Sequence, residues 1–271
     1  MELQLRGKRA LVTGSSSGIG AGIAKVLAAE GVAVAIHGRD ESRAREVALQ
    51  IERSGGHARV VLGDLADAGA CRNVSEAAIR GLGGVDILVN NAGGRASALK
   101  EGGPPLLDMK WADWLETFEM NVGAAVRMIQ HLVPGMKERG WGRVINIASA
   151  AATQTEANLS EYSAAKAGMV NLSSALAREL AHTGITVNTV SPGAILTPAV
   201  VTAFTATAKQ LGWSDDWETI ERRFIHELIP IYTEHFGQPE DIGRMVALIC
   251  HCSYMDGANF RVDGGQCRSA N

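Results

Sequence analysis

Tyr162 and Lys166 stand four residues apart in the run Glu161-Tyr-Ser-Ala-Ala-Lys-Ala-Gly-Met-Val. On a helix that spacing puts both side chains on one face. A phenol titrates near 10, too high for efficient proton exchange at neutral pH, and a neighbouring ammonium favours the phenolate and draws that value down. The pair therefore has the composition of a general acid–base couple, although alone such a spacing is more often an ordinary half-exposed pair. Ser149, at the end of the run Arg143 to Ala148, adds a hydroxyl that can donate to a substrate oxygen. Metal chemistry has no comparable support. Cys71, Cys250, Cys252 and Cys267 show no zinc-ligand spacing, Cys250 and Cys252 are too close for an ordinary disulfide, and no two histidines stand four apart. The sequence predicts reduced thiols and no metal.

A second group of residues suits phosphate. The apolar run Arg9 to Thr13 leads straight into Gly14-Ser15-Ser16-Ser17-Gly18-Ile19-Gly20 and then a helical pattern. Glycines let the backbone turn sharply and approach a pyrophosphate, while a helix start offers unpaired N–H groups and partial positive charge. Gly14 makes the turn in this reading, Gly18 admits the phosphates, Gly20 lets helix pack on strand, and Ser15, Ser16 and Ser17 add hydroxyl donors. A dinucleotide is the expected ligand. At the end of the second apolar run stand Gly38 and Arg39 rather than an acid. A guanidinium suits the 2′-phosphate of NADP, so NADP(H) is favoured, with NAD(H) possible because Asp40 is placed either to reach the ribose or to pair with Arg39.

The elements that must position these residues follow from periodicity. Short apolar runs at 9–13, 32–37, 59–62, 86–90, 143–148, 186–190 and 259–262 alternate with helical patterns at 21–30, 41–54, 111–137, 160–183 and 239–250. This predicts an α/β fold, one domain over residues 1–271, with a doubly wound, seven-stranded parallel sheet covered by helices on both faces. The stretch Ala194 to Phe236, broken by Pro198, Gly212 and Pro230, is expected to be a substrate lid. Gly102-Gly103-Pro104-Pro105 is expected to form a surface turn.

Composition narrows the function class. At 271 residues, 46% hydrophobic and 20% charged with net charge −3, the chain carries no basic stripe for nucleic acid. No apolar run reaches membrane-spanning length, and the opening Met1 to Lys8 lacks the apolar core of a secretory signal. A cytoplasmic protein acting on a small molecule is expected.

Taken together in this order, the Thr13–Gly20 motif, Asp64 in Gly-Asp-Leu65, Asn90-Asn91-Ala92-Gly93, Asn121, Ser149, Tyr162, Lys166, Pro192-Gly193 and Val262-Asp263-Gly264-Gly265 resemble the classical short-chain dehydrogenase/reductase family. The resemblance spans about residues 7–265 and implies a Rossmann-type fold and hydride transfer between a nicotinamide and a carbonyl or secondary alcohol. It assigns Tyr162 to proton exchange, Ser149 to orienting the substrate oxygen, and Lys166 to the nicotinamide ribose and to tuning Tyr162. Asn121 would anchor a water on a proton path from Lys166. Asp64, with Leu65, would meet the adenine; Asn91, Ala92 and Gly93 would shape the cofactor-facing loop; Pro192, Gly193, Ile195 and Thr197 would lie near the carboxamide and phosphates. For Asn91 and the glycines a purely structural role is nearly as well supported.

The resemblance also implies a homotetramer. Ser17 stands where many NADP-using members place a base, so the cofactor preference rests on Arg39. Arg95 is placed to meet an anionic substrate or, more in keeping with its position, to form a rim salt bridge. The substrate is open: Phe204, Trp213 and Trp217 either stack on it or pack the lid helices, and Arg222 and Arg223 either greet a phosphopantetheine carrier or face solvent. A 3-oxoacyl-thioester reductase is the first expectation, a sugar, polyol or cyclic-ketone enzyme the next. A dinucleotide-binding regulator without catalysis is the rival class, disfavoured because Ser149, Tyr162 and Lys166 are all present.

Overall fold

A computed structural model describes residues 3–96, 104–155 and 157–268. Seven strands, β1 (Arg9–Val12), β2 (Ala33–Gly38), β3 (His57–Leu62), β4 (Ile87–Asn90), β5 (Gly142–Ile147), β6 (Ile185–Pro192) and β7 (Asn259–Val262), form one all-parallel sheet in the order β3-β2-β1-β4-β5-β6-β7. The expected doubly wound α/β architecture is present. The order reverses between β1 and β4, and the crevice beyond the carboxyl ends of strands at such a reversal is where ligands bind in these sheets.

The sheet is buried on both faces, which explains why its strands read as continuous apolar runs. Along β1, Ala10 and Val12 join a core with α1 (Gly18–Ala29), α2 (Glu41–Arg53) and α9 (Pro239–His251). Leu11 points the other way, into a core with α3 (Ala68–Leu82), α5 (Ala124–Arg139) and α6 (Ser160–Glu179). Helix α3 has no counterpart in the sequence reading. Its buried face is Cys71, Val74, Ser75 and Ala78, too small and too polar to register as an apolar stripe, although Asp67 caps it and Gly83 ends it in the left-handed region.

The pattern at 111–137 predicts one helix; the structure has α4 (Trp111–Phe118), a π-turn over Glu119–Gly123, then α5. Arg127 pairs with Glu119 across that turn. The excursion after β6 contains α7 (Pro198–Gln210), α8 (Trp217–Arg223) and a second π-turn, Phe224–Leu228. Of the expected surface turn, Pro104 and Pro105 are exposed, and Gly102 and Gly103 lie outside the described residues.

Candidate active site

The glycine turn is held in shape by its neighbours. Asn91 donates from Nδ2 to the Thr13 carbonyl at 2.8 Å and to the Gly14 carbonyl at 3.2 Å, while the Asn91 and Ala92 N–H groups both donate to Thr13 Oγ1 at 2.9 Å. Close approach makes the glycines necessary: a Cβ on Gly20 would stand 2.4 Å from the Gly14 carbonyl oxygen. Ser15 departs from its expected role, since its hydroxyl is buried and donates to the Val12 carbonyl at 2.7 Å. Ser17 is the N-cap of α1 and gives it no side-chain bond, so the first N–H groups of the helix, at Gly18 to Gly20, have no side-chain cap.

His37 was not among the sequence candidates and proves to be the hub of this turn. Its Nδ1 accepts from the Gly14 N–H at 3.0 Å, so Nε2 carries the proton and donates to the Gly63 carbonyl at 3.1 Å. Its backbone N–H donates to Ser15 Oγ and its carbonyl accepts from the Ser16 N–H. Burial holds its pKa down at about 4, so the ring is neutral at physiological pH.

Gly14, Ser16, Ser17, Arg39, Asp64, Leu65, Asn91, Ala92 and Gly93 line one cleft of about 290 Å³ together with His37. Arg39 is 70% exposed and reaches Asp64 Oδ2 at 3.3 Å. Asp40 is the N-cap of α2, accepting from the Arg43 N–H at 3.1 Å and from Ser42 Oγ at 2.6 Å, so it is committed to the helix rather than to Arg39. At the far side of the turn, Thr197 caps α7 and its methyl lies 3.3 Å from the Cβ position of Gly18, bringing the start of α7 against the glycine turn. Ile195 is buried and bridges to Gly237, and the Gly193 N–H donates to the Val262 carbonyl after Pro192. The uncapped helix start and the glycine-lined cleft fit a dinucleotide pyrophosphate.

The chemical end of the site lies beyond β4, β5 and β6. Ser149 follows β5; its hydroxyl accepts from the Ala151 N–H at 3.1 Å and lies close to the Tyr162 phenol. Tyr162 and Lys166 occupy one face of α6, with Lys166 Nζ 5.6 Å from the phenol ring centroid. Nζ donates to the Ile147 carbonyl at 2.9 Å, and burial lowers its pKa to about 8. Burial raises the Tyr162 phenol above its ordinary value, opposed by the nearby Ser149 hydroxyl and by the charge of Arg95. The sequence reading had not linked the Arg95 guanidinium to Tyr162.

Asn121 sits in the first π-turn, buried, with Nδ2 donating to the Gly94 carbonyl at 2.6 Å and to the Thr117 carbonyl at 2.7 Å. Gly93 lies against it, with a Cβ position 2.4 Å from Asn121 Oδ1 and 3.4 Å from Lys166 Nζ.

Beneath these groups runs a buried polar chain that the sequence did not reveal. Asn90 Nδ2 donates to Asn146 Oδ1 at 2.8 Å, Asn146 Nδ2 donates to Ser173 Oγ at 2.8 Å, and Thr189 Oγ1 donates to Ser173 Oγ at 2.7 Å. It ties β4, β5 and β6 to α6, the helix that carries Tyr162 and Lys166. The members lie far apart in sequence, so no local spacing signals them.

The aromatics of the segment after β6 pack on one another. Phe204 stacks on Phe224 at 4.0 Å and meets Phe236 edge-on at 5.5 Å, and Trp213 meets Phe224 at 5.3 Å, forming a separate core with Ile220, Ile225 and Ile231. Arg223 pairs with Glu227 at 2.7 Å and lies over Trp213. Arg95 forms the salt bridge expected of it, with a partner, Glu161, that is fully buried, at 2.6 Å. Among the described residues no cluster of histidine, cysteine and acidic groups could hold a metal, and no helix is long and apolar enough to cross a membrane.

The sheet order, the crevice and the Ser–Tyr–Lys grouping define a nucleotide-dependent oxidoreductase, and comparison with known proteins agrees. Residues 8–208 match the short chain dehydrogenase family model, and the chain belongs to that family of oxidoreductases acting on CH–OH groups. It is 36% identical to a D-beta-hydroxybutyrate dehydrogenase of Cupriavidus necator, over 96% of this chain and 98% of that one. It is 34% identical to a 3-oxoacyl-(acyl-carrier-protein) reductase of Aquifex aeolicus, over 98% and 99%. Its fold matches the L-sorbose reductase of Gluconobacter frateurii, solved with NADPH and L-sorbose, with a TM-score of 0.91 at 33% identity, covering 99% of this chain and 100% of that one.

Proposed function

We propose that the protein is an NADP(H)-dependent reductase of a small polar ketone, a keto-sugar or polyol-derived ketone, with Tyr162 as the proton donor. The observation that carries the reaction is the Ser149 hydroxyl close to the Tyr162 phenol, with Lys166 on the same face of α6. A bound nicotinamide supplies the hydride. Ser149 and Tyr162 hold the carbonyl oxygen, and as the carbon gains hydride, Tyr162 gives its proton to that oxygen and becomes phenolate. Lys166, with a pKa near 8, exists in both protonation states around neutrality. It holds the nicotinamide ribose and returns a proton toward Tyr162 through water anchored by Asn121. Oxidation of the alcohol runs the same steps backwards.

Arg39 recognises the 2′-phosphate and Asp64 the adenine, while Gly14 to Gly20, Asn91 to Gly93, Ile195 and Thr197 enclose the rest of the cofactor. Two features favour the polar ketone. The likeness to the L-sorbose reductase extends over the whole chain, and Gln154 and Thr155 follow the catalytic serine in a polar loop. Arg223, a candidate for meeting a carrier, is committed to Glu227 and Trp213. A 3-oxoacyl-thioester remains the second reading, supported by the Aquifex aeolicus relative.

We further propose one domain over residues 1–271 with the lid at 194–236, a cytoplasmic location and a homotetramer, the last checked by light scattering. The deciding experiment follows NADPH consumption with L-sorbose, other ketoses, cyclic ketones and acetoacetyl-CoA. Preference for the ketoses supports the proposal, preference for acetoacetyl-CoA selects the second reading, and inertness on the whole panel despite tight NADPH binding defeats both.

A further inference from the structure

The Arg95–Glu161 pair plays no part in the mechanism above. Arg95 leaves the loop after β4, its Nε donating to Glu161 Oε1 at 2.6 Å and its Nη2 to the Asn158 carbonyl at 2.8 Å. Glu161 directly precedes Tyr162, its side chain is 0% exposed, and its Oε2 has no hydrogen-bond partner. Burying two charges costs more than their attraction commonly returns, and apolar residues of like volume would stabilise the fold as well or better. A buried pair one residue from the proton donor therefore calls for a role other than stability. Because Glu161 neutralises the guanidinium, that role is not capture of an anionic substrate.

Among the described residues few other charges face the phenol. On α6, Lys166 points its Nζ to the Ile147 carbonyl. The first π-turn brings Glu119, which is tied to Arg127. On α4, Asp113 is half-buried and Glu116 exposed. Near the C-terminus, Asp263 accepts from the Gly265 and Cys267 N–H groups, and Cys267 packs on Ala150. The ends of β5 and β6 and the turn Ala150–Ala152 bring no ionisable side chain, since Arg143 sits at the opposite end of its strand. Among the described residues, Arg95 is the remaining cation placed to act on the phenol from outside α6.

We propose that Arg95 and Glu161 are positioning residues for Tyr162, locking the first turn of α6 to the loop after β4 and setting the proton affinity of the phenol through a guanidinium whose charge Glu161 partly cancels. This rests on the reading of Tyr162 as the proton donor. The arrangement makes opposite demands on the two partners. Neutralising Glu161 leaves the guanidinium uncompensated and favours phenolate; neutralising both removes the cation and favours the phenol.

The chain has three tyrosines, and Tyr232 and Tyr254 are exposed. In a Tyr232→Phe/Tyr254→Phe background, near-ultraviolet phenolate absorbance against pH reports Tyr162 alone, and adding Tyr162→Phe must abolish the signal. Glu161→Gln, which keeps the shape and the acceptor for Arg95, should lower the midpoint by roughly one pH unit. Arg95→Met/Glu161→Gln should raise it above the Glu161→Gln value by about as much. If the double variant does not fold, the Glu161→Gln midpoint decides alone. A midpoint that does not fall in Glu161→Gln, or that is no higher in the double variant than in Glu161→Gln, overturns the proposal. Turnover by Tyr162→Phe in the carbonyl panel would instead defeat the catalytic reading, whatever the titration gives.

Discussion

Replacing His37 by glutamine tests how the cofactor cradle is built. The ring is neutral because burial holds its pKa at about 4, against an unfolded value of 6.5. The unfolded chain therefore binds more protons than the folded one between those values, and stability must rise with pH across that window. The contribution is complete above pH 6.5 and is lost as pH falls toward 4. A shift of that size corresponds to about 3 kcal/mol. Between pH 7 and 4.5 wild type should therefore lose about 2 kcal/mol of unfolding free energy from this one group, a large part of the ~5–15 kcal/mol typical of a folded domain.

The depressed carboxylates, such as Asp64 and Asp86, act at lower pH, because their contributions are lost only below their ordinary value of 3.8. Urea unfolding at both pH values measures the difference. His37→Gln cannot titrate, and it leaves the Gly14 N–H or the Gly63 carbonyl poorly paired, so it should be less stable at pH 7 by about 1–3 kcal/mol and should show a flattened pH dependence. NADPH affinity should fall with it, since the glycine turn hangs from that ring. An unchanged slope between pH 7 and 4.5 in the variant would refute the argument.

Two further substitutions separate recognition from architecture. Arg39→Ala should weaken NADPH binding by about 10–100-fold, the worth of a charge-assisted hydrogen bond, and leave NADH affinity nearly unchanged, as read by calorimetry. Equal loss for both cofactors would place Arg39 outside the 2′-phosphate site. Asn146→Ala strands Asn90 Nδ2 and removes the donor to Ser173, and should cost about 2–4 kcal/mol in denaturant unfolding while lowering turnover by disturbing α6.

The strands and the glycine turn were legible because their signals are local: continuous apolar runs, and glycines where a strand meets a helix. Ser149, Tyr162 and Lys166 were legible from type, spacing and order. Helix α3 was hidden because it buries cysteine, serine and alanine rather than large apolar residues. The π-turn at Asn121 was hidden because its hydrophobic pattern continues through it. His37 and the Asn90–Asn146–Ser173–Thr189 chain were hidden for another reason, since their partners lie on different strands and only the register of the sheet brings them together. Arg95 was noticed, but its partner Glu161 is 66 residues away, so sequence left two readings that packing resolves.

The central claim is that the Tyr162 hydroxyl moves the proton while the cofactor site stands apart from it. Tyr162→Phe removes one oxygen and keeps the ring. Turnover and NADPH affinity measured on the same preparation should show activity reduced by at least about a thousandfold with the dissociation constant within a few-fold of wild type. Turnover near the wild-type rate in that variant, with its NADPH site intact, would contradict the account.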